Sequence, residues 1–187
     1  MSVRYWKMHR PNINLLDSLQ YWKDFCLRCG SSTTRGTSIF RLYKNLDSAT
    51  DELKLEQEDG VASQTPSIRI SAYTPPHISS LSRLLAEAEP IPSIVIYDKT
   101  KALTNQDGGN HAALFHSFDR DKEKVYLIDP SLPSMRMPFI YDLGRFIEGW
   151  KVYRNLTFIV YPEDYSLSIK KTSGEHIEPL SNFFGGS

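Results

Sequence analysis

The sequence predicts an α+β domain, and three observations carry that reading. Helical apolar spacing dominates the first ninety or so residues. Short runs rich in β-branched and aromatic residues take over after residue 90. The turn signals between those runs are brief enough to make the strands antiparallel.

The elements follow in order. Leu15, Leu19, Trp22 and Cys26 fall on one stripe at spacings of four, three and four, which predicts a helix that stops at Gly30. A second helix is expected to start in the Ser/Thr-rich stretch Ser31–Ser38 and to turn apolar at Ile39, Phe40, Leu42 and Tyr43. Residues 47–66 carry Asp47, Asp51, Glu52, Glu56, Glu58 and Asp59 before Gly60, and read as a solvated helix running into a loop. Pro75-Pro76 opens a short helix with Ile78, Leu81, Leu84, Leu85 and Ala88 inward, ended by Pro90 and Pro92.

Beyond it, Ser93–Tyr97 is expected to be a buried strand, and 98–110 a loop containing Gly108-Gly109. His111–Phe118 and Lys124–Asp129 read as a hairpin about the charged turn Asp119–Glu123, broken by Pro130. Phe139–Trp150 reads as one helix with Leu143, Phe146, Ile147 and Trp150 inward. Leu156–Tyr161 is the last core strand before Pro162, and 163–187 a tail of weak pattern.

Composition bounds the rest. A chain of 187 residues, 40% hydrophobic and 24% charged, fits one core, so 1–187 is expected to be a single domain. Its helical half runs to about 90, its sheet half over about 91–162, and its tail over 163–187. Lys plus Arg total 22, as do Asp plus Glu. That balance lacks the basic excess of a phosphate-tracking protein, so no nucleic-acid partner is expected. Two cysteines three positions apart suit thiols better than a bridge or a four-cysteine zinc site, so neither metal nor cofactor is expected. No run approaches the length of a membrane span, and the first residues lack an apolar signal region. The expected location is the cytoplasm, or outside the cell by a route that needs no such signal.

One constellation carries chemistry. His111 opens a strand, and Asp129 closes its hairpin partner eighteen residues on. Antiparallel pairing sets the start of one strand beside the end of the next, which brings both to the same end of the sheet. There an acid fixes the imidazole tautomer and stabilises its charged form, with Gly108-Gly109 expected to leave space in front of the ring. His116 is expected on the opposite side of the strand, with a structural or surface role. Gly108-Gly109-Asn110 lacks the lysine-serine pair and helix of a phosphate loop. Tyr5, Trp6, Tyr21 and Trp22 read as packing residues, and Met135 and Met137 as gap-fillers.

The stretch from about 90 to 162 resembles the C-terminal half of papain-like cysteine peptidases. The likeness lies in the apolar strand Ile94–Tyr97, then His111-Ala112, then Asp129-Pro130, then Phe146–Trp150 and Phe158–Pro162. The bacteriocin-processing, double-glycine leader peptidases are the nearest branch, and secreted bacterial effector cysteine proteases are similar too. The resemblance implies a papain-like fold, with a helical N-terminal half packed on an antiparallel sheet. It implies His111 as general base, Asp129 as its orienting acid, and a peptide or protein substrate. A papain-like site also wants a cysteine at a helix N-terminus and a glutamine a few residues upstream. Cys29 leads Gly30-Ser31, similar to the Cys-Gly-Ser opening of such enzymes. Cys26 stands six positions after Gln20, the family's usual spacing, and Gln20 would stabilise the oxyanion. Both cysteines remain candidate nucleophiles. Two other functions fit the same residues: a peptide-binding module that has lost the chemistry, and transglutaminase-like amide transfer.

Overall fold

The computed structural model describes residues 68–87, 90–129, 138–162 and 176–179. The chain divides into two compact units. One comprises Met1–Arg69, Tyr161–Ser166 and Phe184–Ser187; the other comprises Ile70–Val160 and Leu167–Phe183 and carries His111 and Asp129.

Strands β1 (Ile68–Thr74), β2 (Ser93–Asp98), β3 (Asn110–Asp119), β4 (Lys124–Ile128), β5 (Phe139–Asp142), β6 (Thr157–Pro162) and β7 (His176–Pro179) form one sheet. Their order is β5-β4-β3-β2-β6-β1-β7, and every pair with a described register is antiparallel. Among the described residues three short helices accompany it: α1 (Ser79–Leu85), α2 (Lys99–Thr104) and α3 (Leu143–Lys151). No described helix is long and apolar enough to cross a membrane.

This arrangement corrects the expected fold class. The described residues do not segregate into a helical half on a sheet half, the α+β, papain-like arrangement. They form a mostly antiparallel sheet with few helices, and those helices are interspersed among the strands along the chain. Strand β1 lies inside the half expected to be helical, where Ile68, Ile70, Ala72 and Thr74 alternate at the two-residue period of a strand. Strand β7 lies in the stretch expected to be a patternless tail. The helix expected over Phe139–Trp150 divides in two. Phe139-Ile140-Tyr141 has the aromatic and β-branched bias of a strand, and Asp142 stops it by capping α3, its carboxylate accepting from Arg145 N at 3.1 Å. The loop expected over 98–110 holds α2, capped by Asp98 and closed by Asn105 in the left-handed region (φ 63°). The β3–β4 hairpin and the strands at 93 and 157 stand within about two residues of expectation, the usual scatter of element ends, while helix α1 starts three residues after Pro76 and ends three before Ala88. The helical patterns at 15–26 and 31–43 and the acidic stretch 47–66 lie outside the described residues.

Register partners in an antiparallel pair point to the same face. Tyr97 pairs with His111, Val95 with Ala113, Phe115 with Leu127, and Val125 with Tyr141, so these side chains share one face. Helix α3 packs on that face through Phe146, whose ring lies 5.4 Å from that of Tyr97, and through Trp150 stacked behind it at 5.9 Å. Phe146 and Trp150 are fully buried, and removing each from water contributes about 2 kcal/mol. The Trp150 indole N–H donates to the Leu156 carbonyl, fastening α3 to the start of β6. Helix α2 lies close against α3 at Gly149. Strand β6 is buried at every position and β2 at all but one, which explains why both read as continuous apolar runs rather than alternating ones.

Candidate active site at the start of β3

Two neighbouring segments place the histidine. Strand β2 ends at Asp98, whose buried carboxylate accepts from two backbone amides. Lys101 N–H reaches Oδ1 at 2.9 Å, capping α2, and Gly108 N–H reaches Oδ2 at 2.8 Å. One side chain thus starts the helix and pins the loop that returns into β3. Gly108 is required by that approach. A Cβ there would stand 2.3 Å from Thr100 Oγ1 and 3.0 Å from Asp98 Oδ1. The pair Gly108-Gly109 therefore does not serve as expected, to clear space before the imidazole: Gly108 is packed against α2, and only Gly109 faces open space. Asp98→Ala should lower the unfolding free energy by about 2 kcal/mol, read as a lower urea midpoint at unchanged slope.

His111 and Asp129 meet as the hairpin predicts. His111 Nε2 lies 2.8 Å from Asp129 Oδ1. An ionised carboxylate only accepts, so the imidazole donates from Nε2 and its neutral form keeps a lone pair on Nδ1. Nδ1 has no partner among the described residues, and the side chain is 21% exposed. The bond is the reverse of the Ser-His-Asp template, in which the acid holds Nδ1 and Nε2 exchanges the proton.

The Asp129 side chain is fully buried and has a second partner, the Lys99 ammonium. Lys99 Nζ lies 2.7 Å from Oδ2. A buried carboxylate is tolerated only when paired and hydrogen-bonded, and here each oxygen has a donor. Two tyrosines complete the surroundings. The Tyr97 ring meets the His111 ring edge-on at 5.6 Å, and its hydroxyl donates to the Tyr141 hydroxyl at 2.9 Å. These rings come from β2 and β5 and reach across β3 and β4, over the face that carries Ala113. Burial, then the bond to Tyr141, pushes the Tyr97 phenol far above its ordinary value. Burial also raises Tyr141, with the Asp129 charge and a hydrogen bond to that carboxylate adding to it. Both phenols stay protonated, so Tyr97 donates to Tyr141, and Tyr141 is oriented toward Asp129.

Sequence reasoning found His111 and Asp129 and missed Lys99, Tyr97 and Tyr141. For Tyr97 a signal was present: strands at 93–97 and 111–118 joined antiparallel set Tyr97 opposite His111. For Lys99 there was none, because thirty residues separate it from Asp129. Tyr141 falls in the stretch 139–150 that reads as a helix. His116 stands at an irregularity between Phe115 and Ser117, exposed, its Nδ1 3.0 Å from the neighbouring Ser117 hydroxyl. Cys26, Cys29, Gln20, the N-terminal aromatic residues, Met135 and Met137 lie outside the described residues. Among the described residues no group of three or more His, Cys, Asp or Glu is placed to hold a metal ion.

The chemistry open to this arrangement is proton exchange at Nδ1 by an imidazole whose tautomer is fixed from behind. Such a group serves a thiol or hydroxyl nucleophile, or a water. Comparison with family models, with curated proteins and with solved structures gave no match.

Proposed function

We propose that the chain is a thiol enzyme of acyl transfer, a cysteine peptidase or near relative acting on a peptide or protein. The observation that supports this is the His111–Asp129 pair, bonded through Nε2 with Nδ1 left unpaired among the described residues. In this reading Cys29, or else Cys26, gives its proton to His111 Nδ1 and attacks the substrate carbonyl carbon. The carbon–sulfur bond forms, and the carbonyl electron pair moves to oxygen, where Gln20 donates. The carbon–nitrogen bond then breaks, and the leaving amine takes the proton from His111. A water deprotonated by the same nitrogen hydrolyses the thioester and restores the thiol. Asp129 keeps the ring in one tautomer throughout.

The test is alkylation of the folded protein with iodoacetamide between pH 5 and 9, with the modified cysteine mapped by mass. Cys29 is expected to react alone and to keep reacting below pH 7, where an ordinary thiol of pKa near 8.5 slows. His111→Ala should remove the low-pH reaction. Two cysteines that behave as ordinary thiols, or are inert, and ignore His111→Ala would sink the enzyme reading in favour of a peptide-binding module.

A further inference from the structure

We infer that the cleft between the entry to α1, the hairpin end of β3 and α3 binds a carboxylic acid with an apolar body, its carboxylate on Arg120. The cleft encloses about 560 Å³, within the range of small-ligand sites. Its lining residues belong to one compact unit. Phe118, Leu143, Ile147 and Trp150 supply the apolar lining. The first three are only half-buried, so apolar surface stays in contact with water there. An apolar group seated in the cleft removes that surface from water. The walls are tied to one another. Asn155 Nδ2 donates to the Pro75 carbonyl at 2.9 Å, which holds the entry to α1 to the turn after α3. Leu143 N–H donates to the Glu123 carbonyl at 2.9 Å, and Glu123 N–H to the Arg120 carbonyl at 3.2 Å, which holds the hairpin turn to α3.

The polar lining selects the charge of the ligand. It holds the basic residues His77, Arg120 and Lys151 and, among the described residues, no acid. Lys151 is occupied by Glu148 at 2.8 Å. The Arg120 guanidinium has no partner among the described residues, and the neighbouring Asp119 is taken by Lys122 at 3.1 Å. A guanidinium matches a carboxylate with two parallel hydrogen bonds. An exposed arginine alone is a surface charge; beside open apolar side chains it favours an anion that carries an apolar group. That shared chemistry occurs in a free arylalkanoic acid and at the carboxyl terminus of a peptide ending in an aromatic residue. Phe118 lies seven residues along β3 from His111, about 20 Å away, so the inference does not rest on the thiol-enzyme reading.

The experiment is an NMR titration of the full chain, read at the Trp150 indole N–H, which is identified as the indole signal that survives in Trp6→Phe/Trp22→Phe. Phenylacetate should move that signal with a Kd on the order of 5 mM. Phenylacetamide, the same body without the charge, should bind about fivefold more weakly. Acetate, which lacks the ring, should leave the signal in place at about 50 mM. Arg120→Gln should remove the preference for acid over amide, and Arg120→Glu should reverse it. Arg120 is exposed on the hairpin turn, so both variants leave the core intact. N-acetylglycyl-phenylalanine distinguishes the two sources: tighter binding than phenylacetate assigns the cleft to a peptide terminus, and weaker binding assigns it to a free acid, each in support of the inference. A Trp150 signal unmoved by about 50 mM phenylacetate, equal binding of acid and amide, or a preference unchanged in Arg120→Gln would each overturn it.

Discussion

Under the proposed function, His111→Ala is expected to reduce peptide cleavage by at least about 10³-fold while leaving the fold in place. Cleavage is read by mass spectrometry of a peptide library, and the fold by near-ultraviolet circular dichroism. The separation of the two effects follows from where the ring sits. It is 21% exposed at the head of β3, so its truncation opens no sealed cavity. Its loss strands no charge either, because Asp129 retains Lys99 at 2.7 Å. What disappears is the only described imidazole bonded to an acid. The companion variant is His116→Ala. That ring is exposed and bonds only Ser117 among the described residues, so activity should stay within about twofold of the parent, as expected for a surface change. Equal losses in both variants, or loss of the near-ultraviolet signal in His111→Ala, would point to a structural cause.

Gly149→Ala should destabilise the protein by about 2 kcal/mol, although alanine is the better helix former by about 1 kcal/mol. Gly149 is buried in α3, where that helix crosses the end of β2 and the start of α2. A Cβ there would stand 2.6 Å from the Asp98 carbonyl oxygen and 3.4 Å from Ala102 Cβ. The nearer atom is backbone, and it cannot step aside alone. Asp98 closes β2, caps α2 and holds Gly108, so moving its carbonyl moves all three. The contact therefore outweighs the gain in helix propensity. Urea unfolding measures the sign. The displacement should also reach the site, since Lys99 is the next residue, and the His111 NMR signals should move with it. A Gly149→Ala protein as stable as its parent, with unmoved His111 signals, would mean that α2 and α3 have slack at this crossing.

The hairpin and the pairing of His111 with Asp129 were legible because they depend on short-range signals. A charged turn at 119–123 separates two β-rich runs, and antiparallel geometry does the rest. Helix α1 was legible from its buried Leu81 and Leu84, although it starts at Ser79 rather than at Pro75-Pro76. The failures share one physical cause, the ambiguity of short apolar runs. Phe139 and Leu143 are four apart and extend a helical stripe backwards, yet Asp142 between them is the cap that ends the strand and begins α3. Helix α2 buries only Ala102, so it shows no apolar period at all. Strands β1 and β7 are seven and four residues long, and each depends on distant partners for its pairing. The missed members of the site were out of reach for a related reason. Lys99 and Tyr141 join Asp129 only once α2 is formed and β5 is recognised as a strand. The fold class failed because the strands at both ends of the described sequence went unread, not because the hairpin was misplaced.

The central claim of the proposed function, that a cysteine thiol gives its proton to His111, is tested most directly by 1,3-dibromoacetone. Its first carbon alkylates a reactive thiol, and its second is captured by an imidazole nitrogen only within a few ångströms, about the reach expected of a nucleophile and its base. Digestion and mass spectrometry of the treated, folded protein should find the Cys29 peptide joined to the His111 peptide, with no bridge in His111→Ala. A bridge from Cys26 to His111 would exchange the nucleophile and leave the claim standing. Cysteines that are alkylated without bridging to His111, or that bridge to another histidine, would contradict it.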